Sequence, residues 1–318
     1  MSRVSNPSAV LFAYHNVGVR CLKVLLDGGV DVLLVVTHAD NPAEAIWFDS
    51  VAALAAEAGV HCITPVDANA DEIVAECRRA APDFLFSFYY RQMLKGPLLA
   101  VPARGAYNMH GSLLPRYRGR APVNWAVLHG ERETGASLHV MDIKPDHGAL
   151  VDQCAVPILR DDTAREVFDK VTLAAEIVMA RSLPRLIAGT AAPTPQDLSL
   201  GSYFGGRNAE DGRIGAQLGG RQMHDLVRAV APPEYPGAFF DSRAGRVLIA
   251  RTRVVASAGA SEPPHAKSLA LFARDGTLWL RAADGVLLRV LGCSIAGEPI
   301  EAAGFEARFG SAPLTPSA

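Results

Sequence analysis

The chain has 318 residues, 49% of them hydrophobic, and a formal net charge of -2, enough apolar material for one sizeable core and a second, smaller one. No stretch approaches the ~20 consecutive apolar residues of a membrane span. The five cysteines, Cys21, Cys62, Cys77, Cys154 and Cys293, lack C-x-x-C spacing, which argues against a zinc site or a disulfide framework and makes a reducing cytoplasm the expected compartment.

The opening MSRVSNPSAVLFAY has only a short apolar run before polar His15 and Asn16, so it reads as a first strand over Ala9 to Ala13 and not as a secretory segment. Further strands are predicted at Asp31 to Thr37, His61 to Thr64, Phe84 to Phe88 and Gly105 to His110, each parted from the next by a helix-length stretch. That alternation predicts an α/β fold with a doubly wound sheet. The turn after the first strand, Tyr14-His15-Asn16-Val17-Gly18, has no G-x-G-x-x-G, and a dinucleotide cofactor is not supported.

Side chains of Ala106-Tyr107-Asn108-Met109-His110 alternate with the period of a strand, so Asn108 and His110 share one face. Gly111 breaks the strand and Ser112 to Pro115 turn. The loop Arg116-Tyr117-Arg118-Gly119-Arg120 then carries three guanidinium groups to a helix opening near Ala121-Pro122. Polar groups thereby collect at the carboxyl end of a strand, where open α/β sheets place their ligands. An amide such as Asn108 can hold a developing oxyanion, and the imidazole of His110 can help hold it and move a proton, which is the equipment of acyl transfer. On spacing alone, an N-x-H pair is more commonly a satisfied polar pair at a sheet end. Ser112 lacks the G-x-S-x-G setting of a nucleophile. The Arg-rich loop is either a solvated turn or a clamp for phosphate or carboxylate, with too few charges for nucleic acid.

Two strand-like runs between Ser137 and Ile158 flank a loop carrying Asp146, and a capped helix starts at Asp162-Thr163 and reaches about Ile187. Ala191 to Pro195 and the Gly-rich stretch Gly201 to Gly220 mark a linker. A short helix around Met223 to Val230 leads to apolar runs at Arg246 to Val255, Leu269 to Phe272, Thr277 to Arg281 and Leu287 to Gly292, the series of a small β-barrel. The expected domains are residues 1–200 and 201–318. Trp47, Trp125 and Trp279 are expected in the cores.

The stretch NMHGSLLPRYRGRAPVNWAVLHGERETGASLHVMDIKPDHGALVDQ closely resembles the 10-formyltetrahydrofolate-dependent formyltransferase family, which includes methionyl-tRNA formyltransferase. Its likeness is stronger to the sugar-modifying branch, in particular the UDP-4-amino-4-deoxy-L-arabinose formyltransferase domain of the bifunctional enzyme of polymyxin resistance. FAYHNVG at Phe12 to Gly18, THADNPAE at Thr37 to Glu44, SVAALAAEAGV at Ser50 to Val60 and FSFYYRQML at Phe86 to Leu94 carry it too. SYFGGR at Ser202 to Arg207 and VRAVAPPEYPGAF at Val227 to Phe239 extend it, after which it fades.

The resemblance implies a Rossmann-like formyltransferase domain followed by an OB-like β-barrel, and a catalytic trio of Asn108, His110 and Asp146, with the aspartate orienting the imidazole and favouring its charged form. It implies 10-formyltetrahydrofolate as donor, contacted by Gln92, Met93, Leu94, Arg120 and the run Asp142, Ile143, Lys144, Pro145, Asp146. It implies no metal. The loop Asp142 to Pro145 is less basic than in the bifunctional relative, which also continues into a dehydrogenase-decarboxylase domain where this sequence stops at Ala318. Tyr89, Tyr90 and Arg91 would border the folate pocket or pack under a loop, and His15 with Asp40-Asn41 would reach the sugar nucleotide. The implied acceptor is a nucleotide-linked amino sugar, most directly UDP-4-amino-4-deoxy-L-arabinose, in lipid A modification. The alternatives are methionyl-tRNA formylation and a non-catalytic folate-binding or sugar-nucleotide-binding protein. From Arg207 onward there are 13 Lys or Arg against 11 Asp or Glu, too even a balance to advertise a tRNA surface.

Overall fold

The computed structural model describes residues 6–42, 44, 46–255 and 268–317. Ala43 of the Thr37 to Glu44 motif, Met1 to Ser5 of the opening run, residues 256–267 and Ala318 of the second expected domain lie outside the described residues.

Short Val, Leu and Phe runs alternate with amphipathic segments and build the first sheet. In chain order the elements are β1 (Ser8–Ala13), α1 (His15–Asp27), β2 (Asp31–Val36), α2 (Val51–Glu57), β3 (Cys62–Ile63), α3 (Asp71–Ala80) and β4 (Phe84–Phe88). There follow α4 (Gly96–Leu99), β5 (Ala106–His110), β6 (Arg118–Gly119), α5 (Pro122–Leu128), β7 (Glu133–Val140), β8 (Leu150–Pro157) and the long helix α6 (Ala164–Ala188). The strand order is β3-β2-β1-β4-β5-β7-β8. Pairing is parallel from β3 to β5 and antiparallel from β5 through β7 to β8. Every residue of β4 is buried, as a strand covered on both faces must be. Val10, Phe12, Leu34, Val36 and Leu85 pack one face against Ile73, Val74 and Cys77 of α3. The chain reverses its direction of strand addition between β1 and β4, and that reversal opens a crevice at the carboxyl ends.

The remaining elements are β9 (Tyr203–Phe204), α7 (Gly220–Ala229), β10 (Ala238–Ser242), β11 (Gly245–Val254), β12 (Ala270–Arg274), β13 (Thr277–Arg281), β14 (Leu287–Ile295), β15 (Glu298–Pro299) and α8 (Ala302–Phe309). Five strands pair antiparallel in the order β10-β11-β14-β13-β12, with β15 on β14, giving a half-barrel. Its core joins Met223, Leu226 and Val227 of α7 to Phe240, Val247, Ile249, Leu271, Leu280, Leu288 and Phe305. The fold is thus a Rossmann-like α/β sheet and a separate antiparallel β half-barrel.

Contacts group residues 1–122, 133–157 and 168–205 into one compact unit, and residues 123–132, 158–167 and 206–318 into the other. The expected cut at residue 200 lies five residues before the last change-over of this grouping. Five elements were absent from the strand and helix expectations, among them the two-residue strands β6 and β15. β9 is two residues inside the expected linker and pairs with β6. β10 follows the Pro-rich PPEYPG, whose turn signals mask its apolar run, and α8 carries Gly304 at its middle, a weak helix signal. β7 starts at Glu133, ahead of the expected Ser137, because Gly135 is a strand residue. A Cβ there would lie 2.1 Å from the Cys154 carbonyl oxygen, so glycine is what lets β8 approach. All three tryptophans are half-buried and not core.

Candidate active site

Strand alternation sends Asn108 and His110 off the same side of β5, and the antiparallel register sets Asn108 opposite His139 of β7. Asp146 stands in the loop between β7 and β8 with φ +58°, a left-handed conformation uncommon for a residue with a side chain. That conformation turns its buried carboxylate inward. Oδ1 lies 3.5 Å from His110 Nδ1 and 3.5 Å from His139 Nε2. Oδ2 accepts the Gly119 backbone N–H at 2.8 Å. The structure thus brings Asn108, His110 and Asp146 together and adds His139 as a fourth member.

The electrostatics follow from these contacts. Burial alone would raise the Asp146 pKa, but the His110 charge, the bond to His139 and the Gly119 N–H outweigh it and hold the carboxyl well below the usual carboxylate range. His110 Nε2 is 2.8 Å from the Tyr117 carbonyl oxygen, which can only accept, so Nε2 carries a proton. With Asp146 at Nδ1, the ring is held from both sides. To take a proton from a substrate, Nε2 must first leave the Tyr117 carbonyl and give up the proton it carries.

His139 Nδ1 donates to the Val140 carbonyl at 2.8 Å, and Nε2 sits 3.1 Å from the Asn108 amide nitrogen. When Nε2 is bare it accepts from that NH2. When it is protonated, a half-turn of the amide brings the oxygen to Nε2 and frees both N–H groups for a ligand. His139 was missed because no local pattern states which residue of β7 faces Asn108; the only signal was a histidine in SLHV, inside the quoted motif.

The serines are structural. Ser112 Oγ donates to the Arg116 carbonyl at 2.6 Å, and Ser137 Oγ donates to the Ser112 carbonyl at 2.5 Å while accepting from Leu114 N–H and Gln153. The loop arginines engage different partners and not one clamp. Arg116 lies over the Tyr117 ring, Arg118 Nη1 is 2.8 Å from His147 Nε2, and Arg120 is exposed.

Of the expected donor-contacting residues, Gln92 spends its side chain on its own neighbourhood, accepting from Ala68 N–H at 2.9 Å and donating to the Val66 carbonyl at 2.8 Å. Leu94 is buried, Met93 and Ile143 are 53% and 77% exposed, and Asp142 accepts the Lys144 backbone N–H. One N–H and one oxygen lone pair of the Gln92 amide are left over by its two bonds. At the ends of β1 and β2, His15 stacks on Phe48 and meets Trp47 and Phe168 edge-on. Asp40 accepts the Tyr14 hydroxyl at 2.8 Å, Arg91 forms two bonds to Glu44, and Tyr90 stacks on His38. Burial and the Asp40 carboxylate push the Tyr14 hydroxyl up to about 12, so it stays a donor. Tyr89 borders the site, since a Cβ on Gly111 would collide with its hydroxyl. Among the described residues no cluster of His, Cys, Asp and Glu could hold a metal ion, and no helix is long and apolar enough to cross a membrane.

A family model described as formyl transferase matches residues 13–183, and one described as formyl transferase, C-terminal domain, matches residues 207–304. Among solved structures, the chain is similar to an N-formyltransferase from Helicobacter canadensis in complex with folinic acid and dTDP-3-aminofucose. That match has 19% identity and a TM-score of 0.65, over 90% of this chain and 98% of that one. A sugar 3N-formyl transferase crystallised with dTDP and 5-N-formyl-THF matches at 18% identity and a TM-score of 0.65, over 92% and 98% of the two chains. A 4-N formyltransferase from Francisella tularensis matches at 20% identity and a TM-score of 0.62, over 77% and 96%. At these identities the likeness establishes a shared fold.

Proposed function

Because this chain belongs to the formyl transferase family, we propose that it moves a formyl group from 10-formyltetrahydrofolate to the amine of a nucleotide-linked amino sugar, with UDP-4-amino-4-deoxy-L-arabinose the acceptor its sequence resembles most. The observation that carries this reading is the Asp146 carboxylate set between two imidazoles, one of which meets the Asn108 amide. Solved relatives with folinic acid and dTDP-3-aminofucose, or with 5-N-formyl-THF and dTDP, support the donor and the acceptor class.

In this reading the acceptor amine arrives neutral and attacks the formyl carbon. A new carbon–nitrogen bond forms, the bond to the folate nitrogen breaks, and that nitrogen leaves with a proton while the amine loses one. Asn108 N–H groups and the charged His110 ring stabilise the negative charge developing on the formyl oxygen. Asp146 lies beside both imidazoles and holds His110 in orientation. Once its Nε2 is released from Tyr117, His110 gives the proton there to the departing folate nitrogen and, neutral for that interval, takes up the proton that the amine loses. Gln92, Met93, Leu94, Arg120 and the run Asp142 to Asp146 line the donor site. His15 and Asp40-Asn41 flank the acceptor side.

The test is an acceptor screen. The purified protein is given 10-formyltetrahydrofolate and a panel of UDP- and dTDP-linked 3-amino and 4-amino sugars, with charged initiator tRNA as a further arm and product mass as the readout. One or more sugar nucleotides should gain a formyl group. Formylation of the tRNA alone would reject the amino-sugar reading, and donor binding without turnover of any amine would favour a binding protein.

A further inference from the structure

The segment expected to be a linker reaches back to the carboxylate at the centre of the site. Gln196 Nε2 donates to the backbone carbonyls of Asp146 and Gly148 at 3.0 and 2.7 Å. Two carbonyls can only accept, so the nitrogen end of this amide, with its two N–H groups, is the end that fits between them. Just before it, Thr194 and Leu150 exchange both backbone hydrogen bonds at 2.8 Å, which fixes where Gln196 enters. Just after it, Ser202 accepts from Tyr117 N–H through its hydroxyl and from Arg118 N–H through its carbonyl, each at 2.9 Å, and the Phe204 carbonyl accepts from Arg120 N–H at 3.0 Å. Gly119, between Arg118 and Arg120, gives its N–H to Asp146 Oδ2. One stretch of chain therefore holds both supports of the carboxylate: the left-handed backbone it hangs from and the peptide group it leans on.

We propose that Thr194 to Phe204 is a strap belonging to the active site, with Gln196 the residue that positions Asp146. This rests on the catalytic role assigned to Asp146. Without the Gln196 donors the Asp146-His147-Gly148 turn loses its only side-chain hydrogen bonds to those two carbonyls among the bonds described, and the carboxylate drifts from the imidazoles. Displacements of this kind lower turnover without removing a substrate contact.

Gln196→Met keeps the length of the side chain and removes the donors, whereas Gln196→Lys returns donors to the same place. Gln196→Met should lower kcat about tenfold and change the KM of either substrate by less than about twofold. Gln196→Lys should recover most of the loss. In an Asp146→Asn background, Gln196→Met should have no further effect on kcat, because the group it positions is already disabled. Unchanged kcat in Gln196→Met, or the same tenfold loss in the Asp146→Asn background, would overturn the proposal. Normal turnover in Asp146→Asn alone would instead reject the site reading, so the two failures are told apart. Thermal melts of each variant separate loss of folded protein from loss of turnover.

Discussion

At the scale of single residues, the site is a shared ion pair with an amide beside it. Asn108→Ala or Asp146→Asn should lower kcat by ~10²-fold, the size of losing one oxyanion donor; steady-state kinetics on variants shown to be folded check this, and near-normal turnover in both would remove the assignment. The Asp146 carboxyl also links stability to acid. Its pKa is lower folded than unfolded, so folding favours the ionised form. The stability it contributes is complete above the unfolded value of about 4 and is lost as pH falls through the lower folded value. Urea melts of the wild type and Asp146→Asn should therefore differ most at neutral pH and converge under strongly acidic conditions; a gap that widens on acidification would mean that the carboxyl is not held ionised. Asn108 and His110 were legible in the sequence because strand alternation alone places them on one face. Asp146 came from family likeness, since nothing local says that a loop residue far along the chain folds over that face. His139 stayed hidden because cross-strand register is decided by the whole sheet.

At the scale of elements, the turn joining β7 to β8 is the most exacting piece. A Cβ on Gly148 would stand 1.8 Å from the Val140 carbonyl oxygen, and neither atom can give way without opening the turn. Gly148→Ala should cost about 1–3 kcal/mol and take activity with it while far-UV circular dichroism is kept. A fully active, equally stable variant would show the turn to be looser than its geometry. The strands of the first sheet were legible as apolar runs with helix-length spacers. β9 was not, because two residues have no period to read; β6 and β9 exist only by pairing with each other. The strap came out of the same blind spot, since its Gly and polar content signals a loop and says nothing of what the loop touches.

At the scale of the molecule, the doubly wound sheet and the antiparallel half-barrel were both legible, the first from alternation of element types and the second from closely spaced short strands. Residues 123–132 and 158–167 group with the second unit, and no change of composition marks either exchange. The charge balance of the chain bears on its acceptor. A small nucleotide sugar presents few phosphates, so its KM should change less than about tenfold between 50 and 200 mM salt, whereas a partner neutralising 6–10 phosphates would lose about 10³–10⁵ in affinity. A steep salt dependence of acceptor binding would point to a polyanion.

The antiparallel joint between β5 and β7 makes the chemistry a matter of counting. Asn108 faces His139 because the two strands are in one register, which shifts against β8 between Leu138 and His139. Adding one residue within β7 ahead of that point would swing the histidine to the opposite side of the sheet and offer Leu138 to the carboxylate, and removing one would offer Val140. Combinatorial libraries of this protein can therefore vary the length of its surface turns, but the span from Glu133 to His139 admits substitutions and no change in the number of residues.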